Sequence, residues 1–98
     1  MISAPRFEWD RRKDAANQAK HDVAFEDAVL VWSDPRHLVR FDRIENGEER
    51  WHALGLAGGL LLLLVVHTYP DEEDTVIRIV SARRATKRER QAYDSGDL

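Results

Sequence analysis

Positively charged side chains are concentrated near the C-terminus of a chain that is acidic as a whole. Residues 78–93 hold five arginines and one lysine, whereas the 98-residue chain has a formal net charge of -3. A local excess of cations against an acidic background indicates a site for an anion, most simply a phosphate backbone. The alternative is a solvated helix face, which is the usual role of exposed Arg and Lys runs on helices.

Strand pairing predicts that further ionisable side chains meet on one face of a sheet. A two-residue turn at Gly58-Gly59 places Arg50 opposite His67. A second loop, centred on residues 72–73, places Arg78 opposite His67 from the other side. The opposite face is then apolar and forms the core, with Trp51, Leu62, Leu64, Val66, Ile77 and Ile79.

The predicted row of side chains is suited to binding a phosphate and moving a proton beside it. His67 has an ordinary pKa near neutrality and is the candidate general acid or base, while Arg50 and Arg78 would stabilise charge on the phosphate. His52 is predicted to share their face. A one-residue slip in either hairpin would separate the group, and each residue taken singly has a structural explanation.

The strands that carry these residues belong to a predicted order β-α-α-β-β-β-β-α. Asp10 is a candidate N-cap for the first helix, and Thr86 with Glu89 forms a capping box for the last. The predicted elements are a strand at 6–9, helices at 10–20 and 25–32, an edge strand at 37–43, strands at 49–56, 60–68 and 75–81, and a helix at 87–93. This order indicates a small α+β domain, a mostly antiparallel sheet with helices packed on one face.

Length and composition indicate a single domain over residues 1–98, with a core at about 6–93 and a frayed tail at 94–98. The chain has no cysteine and its four histidines lack a metal-ligand spacing, so we expect no metal and no cofactor. The N-terminus has no secretory signal pattern, and the apolar run at 60–66 is too short to span a bilayer. These features predict a cytoplasmic protein without a membrane segment.

Several motifs are spread over positions 7–93. They are Phe7-x-Trp9-Asp10, Lys13, Asn17, Lys20-His21, Phe25-Glu26, Glu49-Arg50-Trp51, Gly55, Val65-Val66-His67-Thr68, the block Arg78-Ile-Val-Ser-Ala-Arg-Arg-Ala-Thr86, Glu89-Arg90 and Tyr93. This set resembles the BrnT toxins of type II toxin-antitoxin systems. The resemblance implies a RelE-like ribonuclease fold, RNA cleavage, growth arrest and neutralisation by a BrnA-type antitoxin with a ribbon-helix-helix DNA-binding domain.

The resemblance also suggests roles for the basic segment. Arg83 and Arg84 would hold neighbouring phosphates, and Tyr93 offers a hydroxyl or a ring for base stacking. Lys87 and His52 complete the predicted RNA-binding set. Cleavage would need no metal, the antitoxin complex would be a hetero-oligomer, and DNA would be contacted only through the antitoxin.

Two other functions remain open from the sequence. One is a degenerate, non-catalytic toxin that binds the antitoxin and acts as a co-repressor. The other is a general nucleic-acid-binding domain that uses the basic helix at 87–90. Aligned cations favour an active site, because antitoxin binding alone would require apolar surface more than charge.

Overall fold

The computed structural model describes residues 5–98, and its elements follow the predicted order. They are β1 (Arg6–Glu8), α1 (Arg11–His21), α2 (Phe25–Ala28), a 3-10 helix (Val29–Ser33), β2 (Leu38–Glu45), β3 (Glu48–Ala57), β4 (Leu61–Thr68), β5 (Val76–Arg84) and α3 (Lys87–Ser95). The α+β class and the order β-α-α-β-β-β-β-α are confirmed. The second predicted helix is divided, because its single α-helical turn continues as the tighter 3-10 helix.

The five strands form one sheet in the order β1-β5-β4-β3-β2. β1 runs parallel to β5, and the other neighbours are antiparallel. β1 is three residues long, and β2 pairs with β3 only as far as Leu54, so both β5 and β3 extend beyond their outer neighbours. Within residues 5–98, no helix is long and apolar enough to cross a membrane.

The predicted signals at the starts of α1 and α3 are confirmed. Asp10 Oδ1 accepts hydrogen bonds from the backbone N–H groups of Arg12 and Lys13, at 2.7 and 3.1 Å. Thr86 Oγ1 accepts from the Glu89 N–H at 3.2 Å, and Glu89 Oε1 accepts from the Thr86 N–H at 2.8 Å. Each cap satisfies N–H groups that the first helical turn leaves free.

The main core lies between the sheet and the helices α1 and α2. Its buried apolar side chains come from both layers and are Val23, Phe25, Ala28, Val31, Ala53, Leu63, Val65, Ile79 and Ala82. Trp9 and Trp32 are partly buried and pack against its margin. Trp9 makes an edge-to-face contact with Phe25, with ring centroids 6.3 Å apart.

α3 packs on the other face of the sheet and builds a second, smaller core. Tyr93 is 6% exposed and packs with Leu54, Leu62 and Leu64, which alternate with the residues of the main core. Leu98, from the predicted frayed tail, packs beside them. α1 and α2 therefore cover one face, whereas α3 covers one end of the opposite face and leaves the rest open.

The part of β5 that β1 does not reach is completed by the side chain of Asn17. This side chain is buried in α1; its Nδ2 donates to Ala82 O at 2.8 Å, and its Oδ1 accepts from the Ala82 N–H at 3.1 Å. Nδ2 also donates to Val23 O at 2.8 Å. The amide thus replaces a missing strand and ties α1 to β5.

Asp34 does the same for the part of β3 that β2 does not reach. Its Oδ2 accepts from the Leu56 N–H at 2.8 Å and from the Tyr93 hydroxyl at 2.6 Å. Burial acts to raise the pKa of Asp34, but the hydrogen bonds from Leu56, Tyr93 and Arg36 outweigh it and lower the pKa. One carboxylate therefore completes the edge of β3 and fixes α3 to the sheet.

The register of the β3–β4 hairpin differs from the prediction by one residue. Its loop has three residues, Gly58-Gly59-Leu60, so that Ala57 pairs with Leu61. Both glycines have positive φ, 61° and 74°, a conformation that glycine adopts without strain. The longer loop pairs His67 with Trp51 instead of with the predicted arginine, and this shift moves every side chain of β4 to the other face.

We expect Asn17→Ala to lower the free energy of unfolding by roughly 2–4 kcal/mol, because buried backbone groups of β5 and of the segment after α1 lose their partner. Urea denaturation measures the change. Gln18→Ala is the matched control: it removes an exposed amide of the same helix and should cost at most about 0.5 kcal/mol. Equal losses in the two variants would show that the Asn17 bonds are not needed.

Candidate functional site

The face opposite α1 and α2, beyond the part covered by α3, carries charged side chains from several strands. Arg40 of β2 pairs with His52 of β3. His52 in turn pairs with Val66 of β4, which pairs with Ser81 of β5. Directly paired residues share a face, so these four side chains form one row, with Arg83 in the next row. This surface is called the open face.

His52 is held in the middle of the open face by a carboxylate. Its Nε2 lies 3.2 Å from Asp42 Oδ2, and its side chain is 12% exposed. Its Nδ1 is buried and has no hydrogen-bond partner in the described part of the chain. A protonated ring would form an ion pair with Asp42, whereas a neutral ring has one nitrogen lone pair that can accept a proton.

The surroundings of His52 favour the neutral form of its ring. Burial lowers the pKa of His52, and the nearby cations Arg40 and Arg83 lower it further. Asp42 and Glu89 act in the opposite direction but do not outweigh these effects. At neutral pH the ring can therefore accept a proton.

Arg83 forms a two-pronged ion pair with the first turn of α3. Its two terminal nitrogens donate to the Glu89 carboxylate at 2.8 and 2.9 Å. The hydrogen bond from Arg83 is the main cause that lowers the pKa of Glu89 to about 2. The Arg83 side chain is still 38% exposed, so its guanidinium lies at the surface of the open face.

Arg50 and Arg78 also lie on the open face, one row away from His52. Arg50 Nε is 2.9 Å from Glu45 Oε2, close enough for an ion pair but not aligned for a hydrogen bond. Arg78 Nε donates to Glu8 Oε2 at 2.7 Å, and Arg78 Nη2 lies 2.6 Å from the same oxygen in an ion pair. Each guanidinium is thus matched by a carboxylate, and Arg78 joins β1 to β5.

The predicted position of His67 is wrong. The three-residue loop turns its side chain to the side of α1 and α2, where it is completely buried. Its ring packs edge-to-face on Trp32 at 4.9 Å, and Nε2 lies 3.2 Å from the Tyr69 hydroxyl. Burial lowers its pKa to about 4, so the ring is neutral at pH 7. His67 is therefore separated from Arg50 and Arg78 by the thickness of the sheet.

The other predicted RNA-binding residues are dispersed. Tyr93 is buried and its hydroxyl is committed to Asp34, which excludes the predicted base stacking in this conformation. Arg84 pairs with Leu63 and so belongs to the opposite face from Arg83. Lys87 is exposed as the first residue of α3. Only Arg83 and His52 of that set meet on the open face.

Arg40 and Asp42 join the site although the sequence reasoning did not select them. A regular hairpin through the turn at 46–47 would place Arg40 on the opposite face from His52. A bulge at Asp42 adds one residue to β2 and restores Arg40 to the face of His52. The alternation of charged residues along β2 was a signal, but the bulge could not be inferred from it.

The comparisons with known proteins decide the family. A family model described as "Ribonuclease toxin, BrnT, of type II toxin-antitoxin system" matches residues 9–89. The chain belongs to the BrnT family. It is therefore a member of a family of ribonuclease toxins, and membership of a type II system implies an antitoxin partner.

A solved structure agrees with this assignment at the level of the fold. The chain is similar to the Brucella abortus ribonuclease toxin BrnT, known from a crystal structure at 1.1 Å resolution. The two share 23% identity with a TM-score of 0.61, and the match covers 86% of this chain and all of the Brucella chain. A search among curated proteins found no match.

We predict that His67 makes the protein sensitive to acid. Its pKa is near 6.5 in an unfolded chain and about 4 in the fold, so the unfolded state binds the proton more readily between these values. The resulting stability is present above pH 6.5 and is lost as the pH falls toward 4, by roughly 3 kcal/mol. His67→Phe keeps the ring against Trp32 and removes this titration.

Urea unfolding of the wild type and His67→Phe at pH 7 and pH 4 measures the effect. The difference in unfolding free energy between the two pH values should be smaller in the variant. Identical differences would mean that His67 is not held neutral.

Proposed function

We propose that this chain is an active endoribonuclease toxin that cleaves RNA on the open face without a metal ion. Cleavage of cytoplasmic RNA would inhibit translation and growth, and a BrnA-like ribbon-helix-helix antitoxin would neutralise it in a hetero-oligomer. DNA would then be contacted only through the antitoxin. The observation that carries the proposal is the Asp42–His52 pair, set between the guanidinium groups of Arg40 and Arg83.

RNA can be cleaved by its own 2'-hydroxyl. The reaction needs a base for that hydroxyl, stabilisation of charge on the in-line phosphorane, and a proton for the leaving 5'-oxygen. We propose His52 as the base, because its lowered pKa keeps the ring neutral and Asp42 lies 3.2 Å from its Nε2. The imidazolium formed in the first step would stay next to Asp42 and return its proton to the 5'-oxygen.

Arg83 and Arg40 supply the charge that a phosphorane requires. Arg83 presents a flat pair of donors, which suits two phosphate oxygens as well as it suits the Glu89 carboxylate. The Glu89 carboxylate therefore occupies the place that a phosphate would take. RNA must displace Glu89 and uncover His52 Nδ1, which is buried in the free protein.

Arg50 and Arg78 extend the positive surface by one row. We propose that they stabilise neighbouring phosphates, with Lys87 contributing at the rim. Their pairing with Glu45 and Glu8 reduces the local charge, so RNA binding in solution should be weak and sensitive to salt.

A second candidate function is the non-catalytic module. It is favoured by the state of the open face in the free protein, where Arg83 and Arg78 are hydrogen-bonded to carboxylates and His52 Nδ1 is buried. A chain that only binds its antitoxin would need none of these groups to open. The two functions differ in whether His52 affects RNA.

We expect His52→Gln to lower RNA cleavage by roughly 10²-fold or more, because glutamine cannot exchange a proton near neutral pH. Cleavage of a labelled oligoribonucleotide and of RNA on translating ribosomes measures the change. His21→Gln makes the same substitution on α1, away from the open face, and should cleave as the wild type does. Equal cleavage by wild type, His52→Gln and His21→Gln would exclude His52 as the base, and intact RNA with the wild type would favour the module.

A separate expectation concerns Glu89. Glu89→Gln preserves the capping box of α3, since glutamine also serves there, but releases the guanidinium of Arg83. In a His52→Gln background, where RNA stays intact, the variant should bind RNA roughly 3- to 10-fold more tightly by fluorescence anisotropy. Glu73→Gln changes the net charge equally in the β4–β5 loop and is the control. An equal gain in RNA affinity in the two variants would show that the effect comes from the overall charge and not from Arg83.

A further inference from the structure

Three leucines are exposed around the tip of the β3–β4 hairpin. Leu60 is 85% exposed, Leu61 is 43% exposed and Leu30 of the 3-10 helix is 41% exposed. They lie at one end of the side that carries α1 and α2, away from the Asp42–His52 pair. We call this surface the tip groove.

The tip groove is concave. One hollow of about 310 Å³ lies between Leu30, Pro35 and Leu56. A second hollow of about 260 Å³ lies between Leu30, Leu60 and Leu61. The two hollows share Leu30 and Gly58 in their lining, so they are adjacent compartments of one groove.

The fold does not account for the leucine at position 60. The hairpin turn depends on Gly58 and Gly59, whose positive φ a larger residue would adopt only with strain. The Leu60 side chain contributes almost no buried area, and a polar residue would serve a loop at least as well. An apolar side chain held at the rim of a hollow is instead typical of a contact with a partner.

The rim of the second hollow is acidic. It includes Asp22 and Asp27, and neither carboxylate forms an ion pair within residues 5–98. The open face carries a cluster of arginines, whereas the tip groove presents carboxylates beside exposed leucines. A partner for the groove must therefore combine apolar and cationic side chains, which excludes RNA.

We propose that the tip groove is the docking site for an amphipathic helix of the antitoxin, with apolar side chains in the two hollows and Lys or Arg facing Asp22 and Asp27. Neighbouring side chains on a helix face are about 5–6 Å apart, which suits two adjacent compartments. This inference rests on the proposed function in one respect, namely that the partner is an antitoxin. It assigns that partner an anchor outside the open face.

The tip groove is also connected to α3. Asp34 lines the larger hollow and accepts the Tyr93 hydroxyl at 2.6 Å, and Tyr93 follows Glu89 by one turn of the helix. A helix seated in the groove would thus contact the residue that fixes α3 to the sheet. The same partner can hold the toxin at the groove and keep the Arg83–Glu89 pair closed.

The test uses a purified BrnA-like antitoxin and measures its binding to the wild type and to two variants by calorimetry. Leu60→Lys should weaken binding at least tenfold, because it places a cation where an apolar contact and a basic partner are expected. Ile44→Lys makes the same change at a side chain of β2 that is 66% exposed, and it should bind as the wild type does. Circular dichroism confirms that both variants fold.

Asp27→Lys is an independent test, since it reverses one charge at the rim and leaves the three leucines unchanged. It should weaken binding and reduce its dependence on salt. Wild-type affinity in both Leu60→Lys and Asp27→Lys, or no binding of the antitoxin to the wild type, would overturn the proposal. Self-association of the wild type that Leu60→Lys abolishes would also overturn it, because the groove would then serve a second copy of the chain.

RNA cleavage by Leu60→Lys separates this proposal from the proposed function. The variant should cleave as the wild type does while escaping neutralisation. If wild type and variant both leave RNA intact but differ in antitoxin affinity, the catalytic proposal fails and the tip groove stands.

Discussion

The fold depends on completing two strands that are longer than their neighbours. β5 extends past the short β1, and β3 extends past the start of β2, so backbone groups at both edges would be left without partners. Asn17 satisfies Ala82 on β5, and Asp34 satisfies Leu56 on β3. Leaving a buried backbone group without a hydrogen bond lowers the free energy of unfolding by about 1 kcal/mol or more. These two side chains therefore decide where the sheet can end.

The open face follows from these edge contacts. Asn17 fixes the backbone of Ala82, and the next residue is Arg83, whose guanidinium reaches Glu89. Asp34 fixes α3 through Tyr93, which sets the distance between that helix and the sheet. The pairing of Arg83 with Glu89 is thus a result of how two edges are closed. The ion pair on the open face therefore depends on the hydrogen bonds at the two strand edges.

The sequence predicted the class, the order of elements and the caps, because these depend on local residue types such as Asp10 and the Thr86–Glu89 box. It did not predict which side chains share a face of the sheet. A two-residue turn and a three-residue loop both fit the glycines at 58 and 59, yet they place His67 on opposite sides of the sheet. The bulge at Asp42 shifts β2 in the same way and brings Arg40 to His52. A loop length or a bulge that differs by one residue is decided by packing between elements distant in the sequence. A local sequence pattern carries no information about that packing.

The parallel pairing of β1 with β5 bears on how the protein is made. Glu8 and Arg78 are 70 residues apart, and Asn17 is 65 residues from Ala82. The first strand and the first helix therefore cannot form these contacts until β5 is present. Contacts of this kind form late in folding because a long loop must close first. A chain still being synthesised has Arg40, Asp42 and His52 but lacks Arg83 and α3. A ribosome therefore finishes most of the polypeptide before the nascent chain can assemble the complete arginine cluster.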